Sequence, residues 1–284
     1  MSNTADHPMH GRICLITGAT SGIGRATALA LAGMGAELVL LARDREKAEA
    51  TAAEVRAAGA PAVDLLIADL GVLREVRRAA AEFLASGRPL HVLINNAGVV
   101  NLQRTLTADG LEATFAVNHL AYFLFTTLLL ERLRASAPAR IVNVSSEAHR
   151  FAPLDFDDLQ NERRYRTMRV YGQSKLANIL FTSELARRLE GSGVTANSLH
   201  PGAVATRLGT NNGAWARALI RLLRPFFRSP DDGAATSVHL ATAAELATVS
   251  GRYFANRREK TPSAAARDTE AARRLWAVSE QLCG

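Results

Sequence analysis

Short apolar runs, rich in β-branched and aliphatic residues, alternate along this chain with longer stretches whose apolar positions return every three or four residues. The short runs predict strands at 13–17, 37–41, 63–67, 91–94, 140–144, 195–199 and 251–254. The longer stretches predict helices at 24–34, 45–58, 73–85, 107–134, 168–190 and 231–241. Several strands are apolar at almost every position, the pattern of a strand covered on both faces in a parallel sheet. Strand and helix in turn make βαβ units, so the expected architecture is α/β, a doubly wound sheet of about seven strands with helices on both faces. No linker, repeat or break in composition divides the 284 residues. One domain over 11–284 is expected, after a flexible N-terminal stretch at 1–10.

The formal charge of +7 comes mainly from scattered arginines. Basic residues do not interleave with aromatics as they do in single-strand binders, so no nucleic-acid partner is expected. Cys14 and Cys283 are the two cysteines, too few for a disulfide framework and consistent with a reducing compartment. The opening MSNTADHPMHGR has no apolar core and does not look like a signal peptide or anchor. No uninterrupted apolar run reaches the length of a membrane span, and 121–130 is expected to be buried helix. A cytoplasmic location is the expectation.

The first strand runs into TGATSGIGRA, where Gly18, Gly22 and Gly24 stand between a strand and a helix. Glycines there let backbone approach a pyrophosphate, and the helix N-terminus offers free N–H groups; Thr20, Ser21 and Ile23 lie within the same turn. The other reading is a plain tight turn. Cofactor binding at the first βα junction makes the fold Rossmann-type. At the end of the second strand stand Arg43 and Asp44, with Lys47 one helical turn on. An arginine there suits a 2′-phosphate and favours NADP(H) over NAD(H); alternatively Arg43 is a solvated charge and Asp44 takes the ribose. Asp69 and Leu70 follow the third strand, where Asp69 could receive an adenine amino group or cap a helix. Asn95, Asn96, Ala97 and Gly98 after the fourth strand suit close approach to a ribose and support of the sheet, or turn chemistry alone. Tyr171 and Lys175 fall on one helical face, and an ammonium beside a phenol favours the phenolate. No His, Cys or carboxylate cluster has metal spacing, and no metal is expected.

Taken in order, TGxxxGxG, NNAG, VNHL, NVSS, YxxxK and HPG over 17–202 resemble the short-chain dehydrogenase/reductase family. YGQSKLANILFTSELARRL, GSGVT, HPGAV and ARRLWAVSEQL are similar to its retinol-dehydrogenase-like subgroup over nearly the whole chain. The resemblance implies that Tyr171 donates or accepts the proton, and that Lys175 lowers its pKa and holds the nicotinamide ribose. It implies that Ser146 binds the substrate oxygen, Ser145 being structural. Asn118 would sit in a kinked helix and join Lys175 to solvent through water, or be a buried asparagine that satisfies backbone. Pro201, Gly202, Val204 and Thr206 would meet the nicotinamide side. His119 and His149 read as core or surface histidines. Ser146 and Tyr171 are 25 residues apart, a wider gap than is ordinary in the family but matching the longer loop of the subgroup. Within that loop Tyr165 precedes Arg169 by four, and without a lysine it reads as a decoy.

The stretch AWARALIRLLRPFFR is basic and amphipathic. It suits a substrate lid near 207–230, a peripheral membrane contact through 214–228, or a helix packed on the core. The function implied by the resemblance is NADP(H)-dependent interconversion of a carbonyl and an alcohol on an apolar substrate (retinoid-, steroid-, polyketide- or xenobiotic-like). The alternatives are a non-catalytic sensor or scaffold and a cofactor-retaining epimerase or dehydratase. Assembly is expected to be a monomer, or a homodimer through the long helices around Asn118 and Tyr171.

Overall fold

The computed structural model describes residues 7–202 and 229–284. Among these, β1 (Ile13–Thr17), β2 (Glu37–Ala42), β3 (Val63–Ile67), β4 (Val92–Asn95), β5 (Ala139–Val144), β6 (Val194–His200) and β7 (Tyr253–Ala255) are parallel. A two-residue β8 (Arg258–Glu259) closes the edge antiparallel to β7. The order β3-β2-β1-β4-β5-β6-β7-β8 reverses between β1 and β4, and such a switch point opens a crevice at the carboxyl ends of the strands.

Alternation within β1 shows why these strands are apolar throughout. Ile13 and Leu15 face one core, with Phe83, Phe125, Phe181 and Trp276. Cys14 and Ile16 face the other, with Leu31, Val55 and Leu240. The first core lies under α3 (Leu73–Ala85), α4 (Ala113–Ala135), α5 (Thr167–Arg188) and α7 (Thr269–Cys283). The second lies under α1 (Gly22–Gly33), α2 (Arg45–Ala57) and α6 (Pro230–Thr242).

The structure departs from the sequence reading at four places. The helix expected from 107 starts at Ala113, because the Glu112 carboxylate accepts the Thr114 and Phe115 amides and so caps it there. At 23 residues α4 is also long and apolar enough to span a membrane, although no such stretch was expected; 72% of its most apolar window is buried in the fold. Residues 7–10, expected to be flexible, include a turn whose Met9 is buried. Finally, α7 was not expected as a helix. Asp268 caps it through the Ala271 amide, and Trp276 packs 5.0 Å from Phe123 and 5.8 Å from Phe181 under the Arg188 guanidinium. Thus α7 covers part of the α4–α5 face that the sequence reading offered to a dimer partner.

Candidate active site

The cofactor crevice is shaped by backbone proximity. Gly18 has φ +67°, and a Cβ on it would stand 2.8 Å from the Ala97 Cα. A Cβ on Gly24 would overlap the Gly18 carbonyl oxygen and lie 2.5 Å from Asn96 Nδ2. Only glycine fits either place. Asn96 donates through Nδ2 to the Thr17 carbonyl (2.9 Å), and the Asn96 and Ala97 amides donate to Thr17 Oγ1. These two residues therefore pin the loop after β4 to the glycine turn. Asn95 braces the sheet through Thr126 and Asn143. Ser21 precedes α1 in extended conformation and spends no side-chain hydrogen bond on capping, so its hydroxyl and the first amides of α1 are available to an anion. Thr20 is partly buried at this turn and Ile23 is buried behind it.

At the end of β2 the acidic residue is already committed. Asp44 caps α2 by accepting the Lys47 amide at 3.1 Å, and its other oxygen pairs with the Lys47 ammonium. The hydrogen bond from the Lys47 side chain is the main reason its carboxyl titrates below the usual range. Arg43 has a side chain 70% exposed, with Asp69 Oδ2 3.7 Å away. Asp69 does not cap α3, whose capping position is Val72; its Oδ1 instead accepts the Gly71 amide at 2.8 Å. Leu70 is buried beside it. A strand-end arginine with its neighbouring aspartate occupied fits a 2′-phosphate better than a bare ribose.

The residues expected to react stand just after β5 and on α5. Tyr171 and Lys175 are one turn apart on α5. Lys175 is 3% exposed, donates from Nζ to the Val144 carbonyl at 3.1 Å, and lies 5.8 Å from the centre of the Tyr171 ring. Desolvation brings its pKa down to about 7. Burial pushes the Tyr171 phenol up to about 12, with a hydrogen bond to Ser146 opposing. The lowering of the phenol by Lys175, expected from their spacing and from the resemblance alike, is thus not what the protein alone produces, because both groups are desolvated and desolvation is the larger effect on each.

Ser146 accepts the Ala148 amide at 3.2 Å and so caps the short turn Glu147–Arg150. Ser145 is buried and donates to the Lys175 carbonyl (2.6 Å), the structural part expected of it. Asn118 sits in a π-helical turn, Ala116–Leu120, within α4. Its Oδ1 accepts the Val99 amide at 2.7 Å, and its Nδ2 donates to the Val99 carbonyl and to Ser174 Oγ, each at 3.0 Å. The backbone-satisfying reading describes these contacts. They also hold Gly98 beside the lysine, where a Cβ would come 3.6 Å from Lys175 Nζ.

Tyr165 lies apart from this cluster and donates to the Asn101 carbonyl at 3.0 Å, while Arg169 pairs with Asp155. His119 is fully buried against Ser279 Oγ at 2.9 Å, and desolvation takes its pKa down to about 3. Pro201 and Gly202 (φ +90°) follow β6 at the crevice. Val204, Thr206, the 214–228 segment and the expected lid up to residue 228 lie outside the described residues, and at its end Ser229 caps α6 and Pro230 begins it. Sequence reading missed Gly172, where a Cβ would meet the Ala148 carbonyl oxygen at 2.6 Å. Its absence of a side chain lets α5 close onto the turn after Ser146. A glycine in mid-helix beside a candidate acid was the signal available.

A family model described as short chain dehydrogenase matches residues 12–217. Retinol dehydrogenase 12 of Mus musculus is 46% identical over 282 residues, covering 99% of this chain and 89% of the relative. An uncharacterized protein from Mycobacterium paratuberculosis has a solved structure with a TM-score of 0.79 and 36% identity, covering 99% of this chain and 97% of its own. The Pseudomonas aeruginosa RhlG/NADP complex has a TM-score of 0.70 and 28% identity over 88% of this chain and 96% of its own.

Proposed function

The chain belongs to the short-chain dehydrogenase family, and on that premise we propose that it is an NADP(H)-dependent oxidoreductase interconverting a carbonyl and an alcohol on an apolar, retinoid-like substrate. The observation that carries this reading is Tyr171, one turn from Lys175 on α5, where Lys175 Nζ is anchored on the Val144 carbonyl at the carboxyl end of β5 and Ser146 acts to lower the phenol's pKa. A bound dinucleotide would supply or take up the hydride. Gly18, Ser21, Gly22 and Gly24 would receive its pyrophosphate, Arg43 its 2′-phosphate, and Lys175 its nicotinamide ribose.

The protein's own part is proton delivery and orientation. Tyr171, protonated at neutral pH with a pKa of about 12, donates to the substrate oxygen. Ser146 donates a hydrogen bond to that same oxygen, while the Ala148 amide occupies one of its lone pairs. At pH 7 the phenol is thus almost wholly in the protonated form that reduction requires, and oxidation would need the small phenolate fraction. Leu102 (38% exposed), Phe151 (59%) and Met168 (52%) support an apolar substrate, since all three border the α5 end that carries Tyr171. Among apolar carbonyls, the names of the relatives favour retinoids. For NADP(H), support comes from the committed Asp44, the exposed Arg43 and the RhlG complex.

The test is loss of NADPH absorbance with all-trans-retinal, nonanal and 2-decalone. Consumption with at least one of them, slower with NADH, is expected. NADPH that binds and is never consumed would remove the oxidoreductase reading in favour of a sensor.

A further inference from the structure

We propose that His149 is a positioning residue for Ser146: its neutral ring, protonated at Nδ1, ties the serine carbonyl to the Ser263 amide and holds the catalytic turn against α5. For its activity arm this inference rests on the function proposed above.

The ring is 1% exposed and both nitrogens are engaged. Nε2 accepts the Ser263 backbone N–H at 3.1 Å. An amide hydrogen can only be received by an unprotonated nitrogen, so the ring proton must be on Nδ1. Nδ1 lies 2.8 Å from the Ser146 carbonyl oxygen, which it therefore donates to. The same carbonyl accepts the His149 backbone amide at 3.1 Å. A single residue thus grips Ser146 twice while reaching a loop 114 positions away. Tyr253 of β7 supports the ring edge-on, with centroids 5.2 Å apart.

The rest of the turn is held in the same manner. Tyr253 donates its hydroxyl to Glu147 at 3.2 Å, the Glu147 amide donates to His200 Nδ1 at 3.1 Å, and Arg150 donates to the Thr261 carbonyl at 3.1 Å. Burial holds the imidazole below its ordinary pKa, which suits a ring that must stay neutral to keep its acceptor. On the opposite side Gly172 lets α5 approach to contact distance of the Ala148 carbonyl. The turn that begins at Ser146 is therefore clamped between α5 and the segment after β7. His149 reaches through to the serine itself, whereas Glu147 and Arg150 act on the outer side of the turn.

The experiment has one arm that needs no turnover. In ¹⁵N-histidine-labelled wild type at pH 7, long-range ¹H–¹⁵N correlations should show His149 as the Nδ1–H form, assigned by its loss in His149→Asn. An Nε2–H form or an imidazolium there overturns the proposal. The second arm uses NADPH and nonanal. His149→Phe keeps the ring volume but no hydrogen bond, and kcat should fall by about 10²-fold, as for other displacements of about 1 Å, with NADPH affinity within about twofold. His149→Asn, whose amide nitrogen can replace Nδ1, should recover most of that loss, and His149→Gln, whose amide reaches the Ser263 side instead, should recover little. Ser263→Pro removes the amide donor while leaving His149 in place, and should lower kcat without changing NADPH affinity. Unchanged kcat in both His149→Phe and Ser263→Pro overturns the positioning role. If wild type turns over no carbonyl, it is the proposed function that fails, and the tautomer arm still decides whether the bridge exists.

Discussion

Around the β1–α1 turn the shape is set by main chain meeting main chain, whereas around Tyr171 it is set by buried side chains reaching across the sequence. Gly18 and Gly24 are needed because a Cβ would collide with Ala97 and with the Gly18 carbonyl. The groups left for a ligand there are N–H donors and the exposed Arg43. In the other half, Lys175, Asn118, Ser145 and His149 are all almost fully buried, and each spends hydrogen bonds on a carbonyl or amide from another segment. A site that receives phosphates can be built from shape and left open. A site that must deliver one proton to one atom needs its polar groups locked, and desolvation is the consequence.

The sharpest way to break this contrast is Tyr171→Phe. It removes the proposed proton donor from the side-chain half without touching the glycine crevice, so kcat for carbonyl reduction should fall by about 10³-fold or more while NADPH affinity changes little. Steady-state kinetics paired with a fluorescence titration of NADPH checks both parts. If NADPH affinity collapsed together with kcat, the two halves would not be separable as described.

Lys175→Met tests whether the locked half is maintained at the expense of stability. Folding takes the Lys175 pKa from 10.5 down to about 7. Between those values the unfolded chain binds the extra proton, so stability rises with pH across the window. The penalty for burying the ammonium is complete below about pH 7, shrinks as the pH climbs, and is gone above about 10.5. The methionine variant, inactive or nearly so, should accordingly be more stable than wild type at pH 7 by roughly 2 kcal/mol or more. Its advantage should fade toward pH 10. Urea unfolding of both proteins at pH 7 and pH 9.5 measures this, and a variant less stable than wild type at pH 7 contradicts it.

The two halves also differed in how far they could be read beforehand. β1 and β3 occupy the positions expected, 13–17 and 63–67, because an unbroken apolar run between turn residues has few other uses. The glycine turn was legible for the same reason, its partners being a strand and a helix on either side of it in the chain. The start of α4 was not, since a glutamate is an unusual residue to cap a helix and Glu112 does so only where burial fixes its carboxylate. Nor was α7. Its apolar face gains meaning only against Phe123, Phe181 and His119, all far away in sequence. Tyr171, Lys175 and Ser146 stand out through their motifs, and the fold places them at the carboxyl end of β5 and on α5, yet the direction of the phenol's pKa was not legible. A pair spacing says how near two groups stand, but says nothing of how much water is taken from them. His149 looked like any core histidine because its Ser263 partner is 114 residues on.

Arg43→Ala probes the open half and should have the smallest effect. The guanidinium is 70% exposed, and its 3.7 Å approach to Asp69 is an ion pair that solvent largely screens. A 2′-phosphate offers it two charged oxygens and parallel hydrogen bonds, which an aspartate already bonded to the Gly71 amide does not. Loss of the side chain should therefore raise the Michaelis constant for NADPH by about tenfold, near 1.4 kcal/mol, and leave that for NADH almost unchanged. Stability should stay within about 0.5 kcal/mol of wild type, as expected for an exposed residue. Lys47 does not replace it, because its ammonium is held by Asp44. Asp44→Asn supplies the converse: with that ion pair broken, Lys47 becomes available to the phosphate, and the NADPH constant should fall or hold while NADH gains nothing. Equal losses for both nucleotides in Arg43→Ala would mean that the arginine shapes the end of β2 instead of reading the phosphate, and the open half would then depend on a fixed side chain as the catalytic half does.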